Sequence, residues 1–351
     1  MPFKQIPGNR RVRDLLRMAL AKNRLPNSLL FCGPEGVGKR ATAVILAQAL
    51  NCLRMNDDAC GECEPCRAVR EALDDPDKAG KFPDVMGISL DKSKKEIGID
   101  RIKEIKQTAY LRPMAGRGRV FVVEDAELMS SDAANSILKI LEEPPLFCHI
   151  ILVTSHPEIL LPTIVSRCRI LNFLPIAIDE IERALLDKGL SPERARTLAL
   201  LARGNLEMAL TLGWDDVLAR RELAWRAFLA LVADKDTSPF LRLWAYAPRK
   251  AVEDDIVRTM EFFASFFRDV LYLAEGGASH GLLNPDLAER IAEAARFLNG
   301  PDALRGLALV EAVLQALDRN MNVGLVMTDF VSRMTGRNHA RDCLSVIPAH
   351  G

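Results

Sequence analysis

Four cysteines lie close together in the sequence, at a spacing that suits a tetrahedral metal ion. Cys52, Cys60, Cys63 and Cys66 follow the pattern C-x7-C-x2-C-x2-C. Thiolates are strong zinc ligands, and four of them close the coordination sphere, so that no position stays open for catalysis. The segment 52–66 is therefore predicted to be a structural zinc module. A redox C-x-x-C pair and a group of buried thiols are the alternatives.

A glycine-rich loop ending in lysine is the second pattern with chemical meaning. The apolar run 29–32 leads into Gly33-Pro-Glu-Gly36-Val-Gly38-Lys39, and a helical pattern follows. Such glycines let backbone N–H groups surround phosphate oxygens, while the helix N-terminus and the lysine supply positive charge. The pattern indicates a nucleotide phosphate loop, with a glycine-rich turn that binds nothing as the alternative.

The residue after this lysine departs from the usual pattern. Arg40 stands where a Ser or Thr hydroxyl would bind the magnesium ion of a nucleotide. A guanidinium cannot ligate a cation and would repel one placed beside it. The loop is therefore predicted to bind ATP weakly or not at all, and to support no catalysis.

A pair of acids ends a later apolar strand. Glu124 and Asp125 follow the run 119–123, as expected where a Walker B strand brings carboxylates beside the phosphates. The usual order is Asp then Glu, and here it is reversed. Errors of about 1 Å in placement cost roughly 100-fold in rate, so the reversal also predicts poor hydrolysis.

These groups need a parallel sheet to bring them together. Short apolar runs alternate with helical patterns in the first half of the chain, which predicts βαβ units with strands buried on both faces. The predicted strands are 29–32, 84–90, 119–124, 149–154 and 168–173, and the predicted helices between them are 12–23, 40–53, 100–111 and 132–143. After Pro175 the apolar spacing is helical, which predicts an all-helical second half.

Two further stretches make the sequence resemble the AAA+ clamp-loader subunits of bacterial DNA polymerase III. One is Leu-Lys-Ile-Leu-Glu-Glu-Pro-Pro at 138–145, and the other is Ser166-Arg167-Cys168. The resemblance covers about residues 1–215. It implies that Arg167, flanked by Ser166 and Cys168, acts as an arginine finger on a neighbouring subunit's ATP. It also implies that Thr154 and its neighbour Ser155 lie where the family has its nucleotide-sensing polar residue.

In the motor subunits of this family, an arginine in the lid senses nucleotide, and Glu207 stands in its place here. With Arg40 and the reversed acids, this is the pattern of delta-prime members, which do not hydrolyse ATP. The resemblance implies a hetero-pentamer with motor and delta subunits that loads a sliding clamp onto primer-template DNA, as part of the polymerase holoenzyme. An ATP-hydrolysing motor subunit and a zinc-containing adaptor outside replication are the alternatives.

Domain boundaries follow from the resemblance and from the change of periodicity. We expect an α/β AAA+ core at 1–175, a helical lid at 176–215, a helical collar at 216–335 and a tail at 336–351. Lys plus Arg and Asp plus Glu both number 47, so any contact with nucleic acid needs a local basic patch. No apolar run suggests a signal peptide or a membrane span, so a cytoplasmic protein is expected.

Overall fold

A five-stranded parallel sheet forms the centre of the amino-terminal part of the chain. The computed structural model describes residues 2–74, 81–91, 94–211, 213–242, 249–319 and 321–336. The strand order is β2-β3-β4-β1-β5, with every pairing parallel. The strands are β1 (Ser28–Cys32), β2 (Val85–Ile88), β3 (Arg119–Val123), β4 (Cys148–Thr154) and β5 (Arg169–Asn172). The prediction of five parallel strands is confirmed, with ends that differ from the predicted ones by at most two residues.

Burial follows from position in the sheet. Every residue of β1, β3 and β4 is buried, as their apolar sequences predict. The edge strand β5 differs, since only Leu171 of its four residues is buried. An edge strand has one neighbour and is covered less completely, so the expectation of full burial was wrong for β5.

The strand order explains how distant polar residues come together. Cys32 is paired with Thr154, so the carboxyl end of β1 lies beside the carboxyl end of β4. Val123 is paired with Leu152, which brings the end of β3 to the same edge. The glycine-rich loop, Glu124 and Asp125 therefore lie at the edge where open α/β sheets bind ligands.

Helices connect and cover these strands. Those of the amino-terminal part are α1 (Arg10–Ala21), α2 (Lys39–Asn51), α3 (Glu64–Asp74), α4 (Ile99–Thr108), α5 (Ser131–Glu142), α6 (Pro162–Val165), α7 (Ile178–Leu186), α8 (Pro192–Leu201) and α9 (Leu206–Thr211). Helix α5 is capped by the preceding Ser130, whose hydroxyl accepts a hydrogen bond from Ala133 N. It ends before Pro144, because a residue that precedes proline is disfavoured in the helical region. The four helices predicted between strands are confirmed within three residues at each end.

The chain divides into two compact units. One comprises residues 1–195 and 202–210, and the other comprises 196–201 and 211–351. The second unit contains α10 (Trp214–Leu229), α11 (Ser238–Arg242), α12 (Arg249–Ala274), α13 (Ala288–Ala294), α14 (Gly300–Asp318) and α15 (Val323–Thr335). Among its described residues there is no strand, which confirms the prediction of an all-helical second half.

Aromatic rings fill the centre of the second unit. Phe228 of α10 packs edge-on against Phe267 of α12, with ring centroids 4.9 Å apart. Trp225 packs in the same manner against Phe266 at 5.0 Å. None of the helices in the described part of the chain is long and apolar enough to cross a membrane. Residues 337–351 of the predicted tail lie outside the described residues.

Candidate phosphate-loop site and cysteine cluster

The glycine-rich loop runs from the end of β1 into α2 and has the backbone that its glycines predict. Gly33, Gly36 and Gly38 all have positive φ angles, of 147°, 66° and 93°. A side chain at Gly33 would place its Cβ 2.3 Å from the carbonyl oxygen of Phe173. Glycine is required here by both the backbone angle and the close approach of the strand beside it.

The lysine of the loop binds the loop itself. Lys39 Nζ lies 2.5 Å from the carbonyl oxygen of Gly33, 2.6 Å from that of Pro34 and 3.1 Å from Ser155 Oγ. Burial lowers its pKa, while nearby carboxylates, including Glu35 and Glu127, act in the opposite direction. A lysine ammonium has three donors, and all of them have partners within the protein.

Arg40 lies beside the first Walker B acid. Its Nε donates to Glu124 Oε1 at 2.8 Å, its Nη1 donates to Asp74 Oδ1 at 3.1 Å and its Nη2 donates to the carbonyl oxygen of Leu73 at 2.8 Å. Burial opposes the charge of Arg40, but Glu124 and Asp74 raise its pKa. The Glu124 carboxylate, which a magnesium ion would need as a ligand, is therefore already paired with the Arg40 guanidinium.

Burial raises the pKa of Glu124, although Arg40 partly compensates. Asp125 adopts a left-handed backbone with φ of 48° and precedes a short 3-10 turn at Ala126–Leu128. Burial also raises the pKa of Asp125, and the carboxylates of Glu127 and Glu35 raise it further. The two acids thus lie where the sequence predicted, but their surroundings disfavour additional negative charge.

Glu127 is a part of this site that was not predicted. Its Oε1 accepts a hydrogen bond from Ser155 N at 3.0 Å, while its buried Oε2 has no hydrogen-bond partner within the described residues. Ser155 thus contacts both Glu127 and Lys39. A third acid two positions after Glu124-Asp125 was the only sequence signal, and its contact with β4 required the fold.

The predicted nucleotide-sensing residue faces its own turn. Thr154 is buried, and its Oγ1 accepts a hydrogen bond from His156 N at 3.0 Å. It ends β4 beside the glycine-rich loop, as the resemblance implied. In this structure its neighbour Ser155, rather than Thr154, contacts the loop lysine.

The segment before α9 touches the glycine-rich loop within the first unit. Leu206 N donates to the carbonyl oxygen of Gly36 at 3.0 Å. A Cβ added at Gly36 would lie 1.7 Å from Asn205 Oδ1, so the two residues are in close contact. Glu207, which stands in the place of a sensing arginine, is exposed on α9. The loop is therefore covered by backbone and amide groups of its own chain.

The Ser166-Arg167-Cys168 stretch follows the short helix α6 and leads into β5. Arg167 Nη1 donates to the carbonyl oxygen of Thr163 at 3.1 Å, and its Nη2 lies 3.4 Å from Glu142 Oε1. The side chain is 32% exposed, and its buried Nε has no hydrogen-bond partner among the described residues. Glu142 belongs to the 138–145 stretch, so the two stretches that carry the family resemblance meet here.

The residues that flank Arg167 have local roles in the structure. Ser166 Oγ donates to the carbonyl oxygen of Thr163 at 3.2 Å. Burial, with a smaller effect of Cys32, raises the pKa of the Cys168 thiol to about 12. Burial thus disfavours the thiolate form of Cys168, on which nucleophilic reactivity depends.

The four clustered cysteines converge in space. The sulfur atoms of Cys52, Cys60, Cys63 and Cys66 all lie within 4.8 Å of one another. A tetrahedral zinc ion with Zn–S bonds of about 2.3 Å places sulfurs about 3.8 Å apart, and Cys60 and Cys66 are at 3.9 Å. The four donors therefore fit a metal ion, with the other pairs needing only a small contraction.

The charge state of the cluster also suits a cation. Burial opposes ionisation of Cys60, but the backbone N–H groups of Cys63 and Glu62 lower its thiol pKa to about 6. Burial raises the pKa of Cys66 strongly. Cys52 and Cys66 are fully buried. A thiolate in such surroundings is unfavourable without a positive charge beside it, and a bound cation would supply that charge.

The cysteine segment is tied to the start of the chain. The buried carboxylate of Asp58 accepts hydrogen bonds from Phe3 N at 2.8 Å and from Ala59 N at 2.7 Å. Arg17 of α1 forms an ion pair with Asp57. Arg54 pairs with Glu62 at the surface, 3.2 Å away. The module is thus packed on the core.

A buried carboxylate organises the loop before β3. Asp84 accepts hydrogen bonds from the backbone N–H groups of Met114 at 2.9 Å, Ala115 at 2.6 Å and Gly116 at 2.8 Å. Its other partner is the buried guanidinium of Arg119, 2.8 Å away. Burial would raise the pKa of Asp84, but these donors lower it. The sequence marked Asp84 only as a strand start.

The chain is similar to known subunits of DNA polymerase III. A family model described as DNA polymerase III, delta subunit, matches residues 8–177. The DNA polymerase III subunit delta' of Bacillus subtilis is 28% identical over 322 residues, which are 92% of this chain and 94% of that protein. The subunit gamma/tau of Mycobacterium tuberculosis (strain ATCC 25618 / H37Rv) is 30% identical over 90% of this chain and 53% of that protein.

The tau subunit of Bacillus subtilis is 32% identical over 180 residues, which are 51% of this chain and 30% of that protein. This chain therefore spans almost all of the delta' relative, but about half or less of the gamma/tau and tau relatives. Among solved structures, a gamma subunit-related protein of Thermotoga maritima is 18% identical with a TM-score of 0.41, covering 93% of this chain and 99% of that one.

Proposed function

Because this chain belongs to the DNA polymerase III delta-prime and gamma/tau family of clamp-loader subunits, we propose that it acts as a delta-prime-type subunit. In this role it helps to load a sliding clamp onto primer-template DNA during DNA replication. Its partners are the motor subunits and the delta subunit of a hetero-pentamer, and it meets clamp and DNA through that assembly. The core, lid and collar have the boundaries 1–175, 176–215 and 216–335.

The observation that carries this proposal is the state of the phosphate-loop site. Lys39 donates to the loop's own carbonyl groups, and Arg40 is paired with Glu124. A nucleotide with its magnesium ion would have to break these charge-assisted bonds before forming its own. We infer that the chain hydrolyses no ATP and binds it weakly or not at all.

The proposed positive contribution comes from Arg167. Its Nη2 contact with Glu142 is 3.4 Å long, and its Nε has no hydrogen-bond partner in the part of the chain that the structure describes. A planar guanidinium with unused donors can exchange this contact for the γ-phosphate of a neighbouring subunit's ATP. Arginine fingers of this kind raise the rate of phosphoryl transfer by roughly 10³–10⁵ where they are well placed.

We also propose that the four clustered cysteines hold one zinc ion with a structural role. Their convergence within 4.8 Å and the low pKa of Cys60 support this assignment. With four thiolate ligands, zinc has no open position for substrate or water. The ion would hold the segment 52–66 against the core and take no part in chemistry.

A reconstituted clamp loader tests the proposal. This chain is mixed with motor subunits, delta subunit, sliding clamp and primer-template DNA, and complex formation, ATP hydrolysis and clamp loading are measured. We expect a stable complex, and Arg167→Ala should lower turnover at the ATP site it serves by roughly 10³ or more. The exposed Arg169, two positions later, gives the control Arg169→Ala, which should load clamps at the wild-type rate.

Three outcomes would contradict parts of this proposal. Equal loading by the Arg167→Ala and wild-type complexes would exclude the finger and leave a scaffold role. ATP turnover of about 1 s⁻¹ or more by the isolated chain, the low end of ordinary enzyme rates, would indicate a motor subunit. Failure to bind motor subunits would favour the zinc-containing adaptor.

A further inference from the structure

The helices α2 and α3 are fastened to each other at both ends. At one end, Gln48 of α2 donates through Nε2 to the carbonyl oxygen of Cys66, in the first turn of α3. At the other end, Arg40 of α2 donates to Leu73 and Asp74, the last residues of α3. The cysteine cluster and the phosphate-loop site therefore lie at opposite ends of one antiparallel pair of helices.

We propose that Arg40 is a positioning residue that couples the cysteine cluster to the phosphate-loop site. Its guanidinium binds Glu124, as a metal ion would in an active phosphate-loop site. The same guanidinium also binds the last turn of α3. Order at the cysteine end of α3 is thereby transmitted to the end of β3. This inference deepens the proposed function, on which it rests for the premise that no magnesium–nucleotide complex works at this site.

The charges around Arg40 support the first half of this inference. The Glu124 side chain is 20% exposed, and burial raises its pKa. A carboxylate in such surroundings needs a neighbouring positive charge to stay ionised. In an active phosphate-loop site the metal ion supplies that charge. Here Arg40 Nε supplies it from 2.8 Å.

The end of α3 supports the second half. The last carbonyl groups of a helix lack partners within the helix, and the C-terminal end carries partial negative charge. Arg40 Nη2 satisfies one of these carbonyl groups, that of Leu73, at 2.8 Å. Each nitrogen of the guanidinium thus has its own acceptor, and a lysine could not span these positions because it lacks the planar fork.

The length of α3 makes the coupling physically direct. The helix has 11 residues, which correspond to about 16 Å at 1.5 Å per residue. Cys66 lies in its first turn and Asp74 is its last residue. Because a helix of this length depends on tertiary contacts for its stability, loss of order at Cys66 should reach Leu73, and loss of the Arg40 contacts should reach Cys66.

Amide hydrogen exchange on the full chain tests the coupling. Wild type, Arg40→Ala, Arg40→Lys and the control Arg54→Ala are compared, since Arg54 forms a surface ion pair beside the same cysteines. We expect Arg40→Ala to speed exchange in the last turn of α3 by roughly tenfold or more, because charge-assisted hydrogen bonds are about twice as strong as neutral ones. Arg40→Lys should resemble Arg40→Ala, and Arg54→Ala should resemble wild type.

A second arm measures the coupling itself. Zinc is removed with a chelator, and exchange is followed at the first turn of α2 and at the end of β3. In the wild type we expect faster exchange there, whereas in Arg40→Ala zinc removal should add no further change. If Arg40→Ala does not fold, Glu124→Gln is measured in its place, because it removes the same charge pair and keeps the side-chain shape.

The outcomes separate this inference from the proposed function. Equal protection of α3 in Arg40→Ala and Arg54→Ala would show that Arg40 is a surface ion pair, and the coupling would be wrong even if the chain hydrolyses no ATP. Magnesium-dependent ATP turnover by the wild type would overturn the proposed function through a different measurement. If the purified protein contains no zinc, the zinc assignment is wrong. Hydrogen exchange at the end of α3 in the Arg40 and Arg54 variants would still decide the role of Arg40.

Discussion

The phosphate-loop site and the cysteine cluster both contain the residues of a metal site, and they differ in whether those residues are free to bind. At the phosphate loop, Lys39 and Arg40 are engaged by oxygen atoms of the protein at 2.5–3.1 Å. At the cysteine cluster, the sulfur contacts are weak and long, such as Cys66 Sγ to the carbonyl oxygen of Gln48 at 3.9 Å. A ligand set predicts binding only when its atoms have no stronger partner in the folded chain.

This difference has opposite energetic consequences at the two sites. Internal pairing at the phosphate loop stabilises the fold, and under the proposed function it opposes a nucleotide. Convergent thiols at the cluster contribute little without a cation, and a cation that binds them contributes its binding free energy to folding. Variants of each site should therefore affect different measurements, and the expected effects decrease in the order given below.

Removal of one cysteine ligand should have the largest effect. Cys63→Ser should lower the zinc content from about one ion per chain and lower the free energy of unfolding by about 5 kcal/mol, a part of the ~10–16 kcal/mol that structural zinc supplies to small modules. Metal analysis and chemical denaturation measure both. Cys148→Ser, at a buried cysteine of β4 outside the cluster, should keep its zinc. Equal zinc contents in the two variants would refute the assignment.

Asp84, like Lys39 and Arg40, is a charged residue whose partners lie within the protein. Asp84→Asn should lower the free energy of unfolding by about 3–5 kcal/mol, because it leaves the guanidinium of Arg119 buried without its partner. Asp100→Asn is the control, since Asp100 is 89% exposed and pairs with Lys103 at the surface. If both variants lose the same free energy of unfolding, the buried pair of Asp84 and Arg119 contributes no more to stability than a surface pair.

The pH dependence of the same pair has a defined sign. Because the pKa of Asp84 is lowered on folding, its contribution is complete above its ordinary pKa of 3.8 and is lost as the pH falls through the lowered value. The stability difference between wild type and Asp84→Asn should therefore shrink at strongly acidic pH. A difference that grows on acidification would contradict the assignment.

Lys39 should behave as a structural residue. Lys39→Ala should lower the free energy of unfolding by about 1–2 kcal/mol, because the loop carbonyl groups lose their donor. The same variant should leave clamp loading by the reconstituted complex at the wild-type rate. Lys139→Ala, at an exposed position of α5, should change neither quantity. A loss of loading in Lys39→Ala alone would mean that the loop still serves a nucleotide.

Magnesium–ATP should have the smallest effect. A ligand present at 100 times its dissociation constant stabilises a protein by about 2.7 kcal/mol, and here we expect thermal unfolding to be unchanged at millimolar ATP with magnesium. The wild-type chain with and without zinc provides the matched comparison, since zinc removal should shift the same transition. A clear rise in the unfolding temperature with magnesium–ATP would show that the phosphate loop binds nucleotide despite its internal pairing.

The sequence predicted the elements more completely than it predicted their contacts. Five strands, the cysteine cluster and the position of Glu124 follow from local patterns, because each depends on spacing within one segment. The partners of Arg40 are 34 and 84 positions away, and no local pattern contains that information. The sequence therefore indicated a missing metal ligand at Arg40 but not the ion pair with Glu124.

Glu127 and Asn205 illustrate the same limit. Each is a polar residue whose role arises from the close approach of another segment, Ser155 in one case and Gly36 in the other. The burial of β5 was overestimated for a related reason, since an apolar run does not reveal whether its strand lies at the centre or the edge of a sheet.

The loop that Asp84 organises has lost its conformational freedom before any encounter with another molecule. Three successive N–H groups of this loop are held by one buried carboxylate, while Met114 at its tip is 82% exposed. Ordering a flexible backbone costs about 1–2 kcal/mol per residue, and this loop incurs that cost during folding. Any partner that touches Met114 would therefore meet a preorganised surface and would retain more of its contact energy as affinity.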